Sequence, residues 1–525
     1  MPDKPKFFLT TAIDYPNSRP HIGTAFEKLG ADVQARYRRM EGYDVFFLMG
    51  NDENTLKVAD RAKELGQDVR AYCDDMARQF REVWDALDIS YDTFIQTSSE
   101  RHKECCRKFV QKVYDNGHIY KGKYEGWFCP GCEEFKSDKV HTENAGQCPN
   151  HKRPLVRRSE PCWFFRLSSF QDRLLKHLKE NPEFVQPDSR RNEMIGFIEA
   201  EGLQDLNISR HGEEWGIRLP FDPDFTIYVW FDALLTYITG IGYGDDEATF
   251  RKYWPADEHF IGKDITRFHT HIWPAMLWAA GEEAPRQVFS HGFVYVKNEE
   301  SGAVEKISKS LGNAIEPLDI VKKFSADSFR YYFLRECPFP SDGEFGWGRF
   351  AEVFNSELAN NLGNLLSRLI TIPSKNYDRV LEGTGAKQPE PAVPSLDLPA
   401  FVATVRGHIE ACRYNQALQA IILDFLTPTN QYLETHAPWK LVKTDKEAAK
   451  KVLFNAVQSL RIAAILLKPF IPRSAETIYK SFNFPIPWEQ VKFADAAELK
   501  PQAEDLRVTA ELVEGKVRPL FPRIG

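Results

Sequence analysis

The chain has 525 residues and a formal net charge of −7; 42% of its residues are hydrophobic and 27% are charged. This balance is typical of a globular protein and excludes fibrous and largely disordered chains, and the acidic charge excludes a simple basic nucleic-acid binder. No apolar run reaches the ~20 residues of a membrane span, and the N-terminus has no signal- or transit-peptide pattern, so a cytoplasmic protein is expected. The length predicts three or four domains.

The first fifty residues predict the opening of a parallel α/β sheet. Residues 6–13 are typical of a buried strand, and residues 14–20 form a loop rich in Pro, Asn and Ser. From about residue 22 the apolar side chains follow helical spacing, and residues 44–49 form a second apolar run. Strand, loop, helix and strand in this order indicate a βαβ unit.

The rest of the chain indicates an interrupted α/β domain followed by helices. Helical patterns continue to about residue 116, and two further buried strands are predicted at 227–231 and 288–296, with a helix at 268–280 between them. We therefore expect a catalytic domain in two halves, an insertion between them, a linker with the first helices of the next domain, and a helical domain. The boundaries are 1–116, 117–226, 227–325, 326–382 and 383–525; helices are expected at 401–427, 446–467 and 473–482.

Two short segments suit phosphate groups. In Pro20-His21-Ile22-Gly23-Thr24 a helix start offers free N–H groups, His21 adds a donor, and Gly23 allows a close approach. In Lys306-Ile307-Ser308-Lys309-Ser310 two lysines flank serines after a charged hairpin at 297–304, which suits a polyphosphate. Each segment alone could be a solvated loop. Both follow predicted strands, however, and the ends of such strands are where doubly wound sheets bind ligands.

A metal site is predicted in the insertion. Cys129-x2-Cys132, fifteen residues, then Cys148-x2-His151 can supply three thiolates and one imidazole to a tetrahedral zinc ion. Four protein ligands leave no open position, so this zinc should be structural. The other cysteines are expected to pack in the core: Cys73, Cys105, Cys106, Cys162, Cys337 and Cys412.

These motifs resemble those of a known family. PHIGT resembles the HIGH motif and KISKS the KMSKS motif of class I aminoacyl-tRNA synthetases. The segments TTAIDYPNSRPHIGTA, YEGWFCPGC, YVWFDALLTY, FIGKDITRFHTHIWPAML, HGFVYV and HAPWKL are similar to the methionyl-tRNA synthetase family, over nearly the whole chain. Three departures stand out: Thr24 replaces the second His of HIGH, Ile307 replaces the Met of KMSKS, and Glu-Asn-Thr follows Asp52 where the family more often has Glu-His-Gly.

The resemblance implies a fold and a reaction. The fold is α/β: a Rossmann-like class I catalytic domain with an inserted zinc-binding connective domain, plus a C-terminal all-α anticodon-binding bundle. The reaction is the ATP-dependent activation of methionine to methionyl-adenylate and its transfer to tRNA(Met), initiator or elongator, with release of AMP and pyrophosphate. The expected cofactors are ATP with Mg²⁺ and one structural Zn²⁺. No membrane partner is expected, and no appended tRNA-binding barrel is recognised, so we expect a monomer.

The resemblance also implies site residues. The catalytic group comprises His21, Thr24, Lys306 and Lys309. The ATP-binding residues are Gly23, His21, Gly262, Asp264, His291, Gly292 and Lys309. The methionine-binding residues are Ile13, Tyr15, Asp52, Trp230, Ala233, Tyr237, Ile265 and His269, with Asp52 on the α-amino group. An aromatic pocket suits a polarisable thioether. The residues expected to read the CAU anticodon are Asn360, Asn364, Arg368 and Trp439; the first three share a helix face, and Trp439 can stack on a base.

Other interpretations stay open from the residues alone. Asp52 could be a helix N-cap, and Trp230, Tyr237 and Trp439 could be core residues. Among functions, another class I synthetase would usually carry a large editing insertion or, for cysteine, zinc at the substrate. A HIGH-bearing nucleotidyltransferase would not need the helical last third of the chain. A non-catalytic RNA-binding relative would typically have lost His21 or the KISKS lysines, which are present.

Overall fold

The computed structural model describes residues 4–129, 134–136, 138–149, 152–212, 214–299, 301–307, 314–381, 390, 392–393, 395–499, 506–513 and 516–524. Its centre is a six-stranded parallel sheet. The strands, in spatial order, are Thr93–Gln96, Asp44–Asn51, Lys6–Thr11, Glu258–Gly262, Val288–His291 and Val185–Gln186. Strand order reverses between the third and the fourth, and the crevice at their carboxyl ends is where such sheets bind ligands.

Three strands of this sheet were not predicted from the sequence, among them the short edge strand Val185–Gln186. Residues 93–96 lie within a stretch interpreted as helical, and the central strand Glu258–Gly262 begins with two polar residues, Glu258 and His259. Both of these polar side chains are buried, so the strand lacks the apolar pattern that would identify it. Only contacts with strands distant in sequence show where these segments belong.

Helices cover both faces of the sheet. The first helix, Ile22–Met40, buries Phe26, Leu29, Val33 and Tyr37 as predicted. The other α-helices of this part are Leu56–Glu64, Val69–Ala86, Glu100–Asp115, Val229–Ala233, Thr236–Thr239, Glu247–Tyr253 and Trp273–Ala279. A 3₁₀ turn spans Lys263–Ile265, and a π-helical turn at Phe268–Ile272 leads into the last of these helices, so the helix predicted at 268–280 is confirmed.

The strand predicted at 227–231 is wrong. The strand there is Asp222–Ile227, and the chain turns at Tyr228 into the short helix Val229–Ala233. A short apolar run fits a buried strand and a buried helix equally well. The helical spacing of Trp230, Ala233 and Tyr237 was the available signal, because it places three predicted site residues on one face.

The described residues of the predicted insertion form two small sheets and three helices. One sheet contains Ile119–Cys129, Glu134–Lys136, Val156–Phe165 and Leu206–Asn207; the other contains Ser209–His211, Arg218–Leu219 and Asp222–Ile227. The helices are Asp138–Glu143, Gln171–Glu180 and Asp188–Glu201, with a 3₁₀ turn at Leu167–Phe170. The insertion is not separate from the catalytic sheet, because its strand Val185–Gln186 pairs with Val288–His291 at the edge of that sheet.

Residues 288–296 form two strands rather than one. Val288–His291 lies in the central sheet, whereas Val294–Lys297 pairs with Val304–Lys306 and with Gly343–Phe345 in a separate small sheet. The antiparallel pairing confirms the predicted charged hairpin. The helices that follow are Pro317–Lys323, Ala326–Glu336 and Trp347–Val353, the last continuing through a π-helical segment, Phe354–Gly363, into Asn364–Asn376.

The remaining chain is mainly helical, as predicted. Its helices are Leu398–Glu410, Tyr414–Gln419, Ala420–Leu426 (π), Thr427–His436, Pro438–Leu441, Lys446–Leu467 and Pro472–Lys480, with 3₁₀ turns at Trp488–Gln490 and Phe493–Ala497. Short strand pairs join Val380–Leu381 to Leu506–Arg507 and Leu512–Val513 to Lys516–Val517. The helix predicted at 401–427 is interrupted at Cys412, which has a left-handed φ of 53°. Within the described ranges no helix is both long and apolar enough to cross a bilayer.

A buried arginine joins the catalytic and helical parts. Arg330 donates to the carbonyls of Phe470 (2.7 Å) and Pro469 (3.0 Å) and pairs with Asp32 at 2.7 Å. The side chains of Arg330 and Asp32 are fully buried, so leaving either partner uncompensated would be strongly destabilising. This contact connects the first helix to the end of the long helix Lys446–Leu467.

Candidate active site

The loops that follow two adjacent strands are joined at the carboxyl edge of the sheet. The Asp14 N–H donates to the Gly50 carbonyl at 3.0 Å, and the Asp52 N–H donates to the Asp14 carbonyl at 2.8 Å. This backbone ladder extends the pairing of the first two strands by one bridge, between Asp14 and Asn51. It therefore places Asp14 and Asp52 side by side at the crevice.

His21 caps the first helix with its own ring. Its Nδ1 accepts from the N–H groups of Gly23 (3.1 Å) and Thr24 (3.3 Å). The N–H of Ile22 donates to the carbonyl of Ile315 at 3.1 Å. The expectation of free N–H groups at this helix start is therefore wrong for these three residues. Because Nδ1 is an acceptor, a neutral His21 ring carries its proton on Nε2, where it can donate to an anion.

The two predicted phosphate segments meet at the start of this helix. A Cβ added at Gly23 would lie 3.4 Å from Cδ1 of Ile307, in the KISKS segment, and 3.0 Å from the His21 ring. Lys306 is exposed, and its Nζ lies 5.1 Å from the ring centre of Phe293. Lys263 lies 4.7 Å from the same ring. Residues 308–313, including Lys309, lie outside the described residues.

The predicted nucleotide-binding glycines converge on the neighbouring strand ends. A Cβ at Gly262 would lie 2.8 Å from Oδ1 of Asp264 and 3.9 Å from Nε2 of His291, so these three residues adjoin. Asp264 is exposed to solvent. Gly292 has a different constraint, because a Cβ there would lie 2.0 Å from the Ser341 backbone. Close packing of two chain segments therefore requires a glycine at position 292, whatever its role toward a nucleotide.

A buried charge network below the crevice was not predicted. Lys28 Nζ donates to Glu27 (2.7 Å), to Asp14 (3.0 Å) and to the carbonyl of Ala12 (3.1 Å), and its side chain is fully buried. Nε2 of His291 lies 3.0 Å from Glu27, and its Nδ1 lies 2.7 Å from the Gly292 carbonyl. Burial raises the pKa of the Glu27 carboxyl, but Lys28 and His291 outweigh it and hold that pKa at about 2. The only sequence signal of this network was the adjacent pair Glu27 and Lys28, on a helix whose other face is apolar.

Aromatic rings contact one another among the residues of the predicted methionine pocket. Tyr15 packs edge-on against Trp230, with centroids 5.9 Å apart, and Trp230 stacks on Phe268 at 4.0 Å. Tyr15 is 38% exposed, whereas Tyr237 and His269 are almost completely buried. Ile13 and Ile265 are half-buried against the same core, and Ala233 is buried. The contacts thus form two groups among the predicted methionine-binding residues: Tyr15 with Trp230, which Phe268 joins, and Tyr237 with His269 and Ile265.

The hydrogen bonds of Tyr237 and His269 define where each of these two side chains carries its proton. Nδ1 of His269 faces the Ile265 carbonyl at 3.1 Å, so that nitrogen carries the proton, and Nε2 accepts from the Tyr237 hydroxyl at 2.7 Å. Burial lowers the pKa of His269 to about 4, so its ring is neutral near pH 7. The hydrogen of the Tyr237 hydroxyl is therefore directed at His269 and not at the pocket.

Asp52 is buried near Tyr15 with one carboxyl oxygen left unsatisfied by the described residues. It is 2% exposed, and its Oδ1 has no hydrogen-bond partner among the described residues. Burial, and then the charge of Glu53, raise the pKa of the Asp52 carboxyl well above its usual range. Asp52 is not a helix N-cap, because Thr55 caps the following helix with its side chain. A buried acceptor without a donor is costly, and Oδ1 of Asp52 is therefore a candidate to receive a donor from a ligand.

The predicted anticodon residues lie on one continuous helix and on the short helix Pro438–Leu441. Asn360 and Asn364 are exposed on the helix, and Arg368 is half-buried. The Arg368 guanidinium lies 5.3 Å from the centre of the half-buried Trp439 ring and pairs with Glu434. The ring also packs against the core, so Trp439 is partly a core residue and partly accessible.

The predicted zinc ligands are only partly within the described residues. Cys129 and Cys148 are fully buried in a small cluster with Leu155 and Trp127. The backbone N–H of Cys148 donates to the carbonyl of Arg153, and the N–H of Lys152 donates to the carbonyl of Cys148. These two hydrogen bonds close a tight turn. Cys132 and His151 lie outside the described residues. The six cysteines expected in the core are buried, as predicted.

Comparison with known proteins gives consistent results. The family model described as tRNA synthetases class I (M) matches residues 7–159 and 151–370, and the model for the anticodon binding domain of methionyl tRNA ligase matches 383–514. The methionine–tRNA ligase of Caldanaerobacter subterraneus is 42% identical over 93% of this chain and 76% of its own length. That of Thermotoga maritima is 40% identical over 99% of this chain and 80% of its own length.

Solved structures agree with this comparison. A Mycobacterium tuberculosis methionyl-tRNA synthetase bound by methionyl-adenylate superimposes with a TM-score of 0.86 at 36% identity, covering 98% of this chain and 100% of that one. The unliganded form of the Mycobacterium tuberculosis enzyme gives a TM-score of 0.81 at 33% identity, covering 99% of both chains. The catalytic fold, the helical domain and the sequence motifs all lead to one conclusion: the chain belongs to the methionyl-tRNA synthetase family of class I aminoacyl-tRNA synthetases.

Proposed function

We propose that this chain, a methionine–tRNA ligase by family, forms methionyl-adenylate at the carboxyl edge of its central sheet. The observation that carries the proposal is the buried Asp52 carboxyl, whose Oδ1 has no partner among the described residues, beside an aromatic pocket. A substrate ammonium group would supply the missing donor, and a charge-assisted hydrogen bond to a carboxylate is among the stronger ones. The methionine side chain then extends toward Trp230 and Tyr237.

The pocket suits a thioether better than a more polar side chain. Sulfur packs well against aromatic edges, and Tyr15, Trp230 and Phe268 provide them. The Tyr237 hydroxyl donates to His269, so it offers no hydrogen to the ligand. Ile13, Ala233 and Ile265 complete an apolar wall, and Tyr15 acts as a lid. A polar side chain would leave its own hydrogen bonds unmade in this pocket.

ATP occupies the neighbouring half of the crevice. Its phosphates lie at the start of the first helix, where Nε2–H of His21 donates to them and Thr24 offers a hydroxyl. Gly23 and Gly262 admit the nucleotide close to the backbone, while Asp264, His291 and Gly292 lie on the ribose and adenine side. Lys306 and Lys309 stabilise the leaving pyrophosphate, and Mg²⁺ accompanies the ATP phosphates, which supplies further positive charge.

The reaction needs no covalent enzyme nucleophile. A carboxylate oxygen of methionine attacks the α-phosphorus of ATP, a new O–P bond forms, and the bond to the bridging oxygen breaks as pyrophosphate leaves. The terminal ribose hydroxyl of tRNA(Met) then attacks the methionyl carbonyl carbon, and AMP leaves. Catalysis rests on positioning and on stabilisation of developing charge by His21 and the two lysines.

A structural zinc ion fits the residues present in the insertion. Two cysteines are fully buried in a cluster of three buried residues that is too small to form a hydrophobic core of its own. Thiols in that position are suited to zinc, which would stabilise the two turns that carry Cys129-x2-Cys132 and Cys148-x2-His151. The ion would hold the insertion together and take no part in adenylation.

The helical part reads the anticodon. Asn360, Asn364 and Arg368 present hydrogen-bonding groups along one helix, and the Trp439 ring can stack on an unpaired base. We also propose the domain limits predicted from the sequence. The catalytic halves are 1–116 and 227–325, the insertion is 117–226, the linker is 326–382 and the anticodon domain is 383–525. The monomeric state and the cytoplasmic location stay predictions from the sequence.

The test is ATP–pyrophosphate exchange with each of the twenty amino acids in the absence of tRNA. We expect exchange with methionine alone, and its loss in D52N. The matched control is D327N, which alters another buried aspartate near the junction of the two parts of the chain. Exchange with a different amino acid would overturn the proposed pocket, and exchange with none would overturn adenylation by this chain without tRNA.

A further inference from the structure

A second buried carboxyl lies within electrostatic range of Asp52. Asp232 is fully buried in the short helix Val229–Ala233, between the predicted pocket residues Trp230 and Ala233. Its Oδ2 accepts a hydrogen bond from the Asn54 side chain at 3.0 Å, whereas its Oδ1 has no hydrogen-bond partner within the described part of the chain. The same is true of Oδ1 of Asp52.

Asn54 connects the two carboxyls. Its backbone N–H interacts with the Asp52 carboxyl, and its side-chain amide donates to Asp232 and to the carbonyl of Thr97 at 3.0 Å. Both carboxyls also act electrostatically on the Tyr15 hydroxyl at the pocket mouth. Asn54 stands where the family more often has histidine, so this amide bridge is a departure carried by this sequence.

No cation compensates the pair within the described residues. Neither Asp52 nor Asp232 forms a salt bridge there, and the nearby Lys28 is paired with Asp14 and Glu27. The other titratable groups around the pair include Glu53 beside Asp52, the tyrosines Tyr15, Tyr228 and Tyr237, and His102 and Cys106 on the helix Glu100–Asp115. Burial and then the charge of Glu53 raise the pKa of Asp52, whereas burial and then the charge of Asp52 raise the pKa of Asp232. Two such groups titrate as a pair, not singly.

We propose that Asp52 and Asp232 bind the α-ammonium group of methionine together, and that they share one proton while the site is empty. The proton lies between the two carboxyls and supplies one donor to otherwise unsatisfied oxygens. The entering ammonium group replaces it with its own N–H donors and positive charge. The displaced proton passes to the solvent, so methionine binding releases about one proton per site. This inference rests on the proposed role of Asp52.

The experiment is titration calorimetry of methionine at pH 7.5 in two buffers of different ionisation enthalpy, which reports the protons released. The wild-type chain should release close to one proton per methionine bound. D232N should bind methionine about tenfold more weakly, because one of two charged partners is lost, and release close to none. Proton release that is unchanged in D232N would overturn the proposal.

Two control variants distinguish a failure of the shared site from a failure of the proposed role of Asp52. E258Q, which alters a buried acid outside the pocket, should release the same proton as the wild type. D52N should lose methionine binding; if it binds normally, the proposed function of Asp52 fails. If D52N loses binding while D232N behaves as wild type, only the shared site fails.

A ligand control keeps the test valid if D232N does not fold. The desamino analogue of methionine has no ammonium group, so it should bind to the wild-type chain without releasing a proton. Equal release with methionine and with this analogue would overturn the proposal. A merely structural Asp232 would instead lower the unfolding temperature of D232N and leave proton release unchanged.

Discussion

The carboxyl group of Glu258 and the thiol of Cys412 meet where the central sheet contacts the helical part of the chain, with 3.9 Å between Oε1 and Sγ. Glu258 is 6% exposed, and burial raises the pKa of its carboxyl to about 8, only partly countered by Arg38. A glutamate in an unfolded chain titrates near 4.3. The folded chain therefore binds one more proton than the unfolded chain between these two values.

The first prediction concerns the pH dependence of stability. Because the folded state binds the extra proton, the contribution of Glu258 is most favourable below about pH 4.3 and is lost as pH rises through about 8. E258Q should be close to neutral at pH 5 and should raise stability at pH 8, by an amount on the order of a few kcal/mol. Thermal unfolding at both pH values measures this difference, with the exposed Glu180 as control in E180Q. Equal shifts at pH 5 and pH 8 would contradict it.

The second prediction separates two roles of His21. Asparagine can replace histidine as an N-cap acceptor but cannot place a donor where Nε2 lies. H21N should therefore keep the unfolding temperature and lose about 10²–10³-fold in adenylation rate, the size of a lost transition-state donor. H21A should lose the same rate and in addition about 1 kcal/mol of stability with the cap. A near wild-type rate in H21N would show that His21 only caps the helix.

The third prediction concerns the lysines of the KISKS segment. K306A and K309A should lower the rate of adenylation far more than they weaken methionine binding, because both charges act on the departing pyrophosphate. K309A should have the larger effect. K263A is the matched control: Lys263 lies near the same ring, Phe293, but pairs with Asp342 at 2.7 Å. Equal losses of rate and of methionine affinity in K309A would contradict the proposed role.

The fourth prediction concerns the anticodon surface. W439A should lower kcat/KM for tRNA charging by about 5–150-fold, equivalent to about 1–3 kcal/mol of lost stacking, and leave exchange without tRNA unchanged. W347A is the control, because Trp347 is an exposed tryptophan at the other end of the same continuous helical segment as Arg368. If both variants charge tRNA normally, Trp439 is only a core residue.

The fifth prediction concerns the metal. The purified chain should contain one zinc ion, and C148S or C129S should lose it and unfold at a lower temperature. C162S is the matched control, because Cys162 is buried in the same insertion on the strand Val156–Phe165. Elemental analysis with thermal unfolding measures both effects. Zinc retained by C148S would exclude the proposed ligand set.

Long-range contacts account for the residues that sequence reasoning missed. Glu27, Lys28 and Asp14 form their network only when the first helix packs against the strand ends, and Phe293 meets Lys306 only after the hairpin folds back. Asp232 lies just after the segment predicted as a strand, 227–231, and it is buried because the chain forms the helix Val229–Ala233 there instead. No local pattern distinguishes such buried polar groups from exposed ones.

The sequence by itself determined the class of the catalytic fold, the helical last third of the chain and the apolar face of the first helix. These features depend on spacing along one element or on residue chemistry within a few positions. Only the tertiary structure decided that His21 uses its ring to cap its own helix, that Glu258–Gly262 is a central strand, and that Asp52 and Asp232 lie within electrostatic range of each other. These features depend on which segments, distant in sequence, pack together and exclude water. Whether a charged group is buried is therefore a property of the packed chain and not of its local sequence.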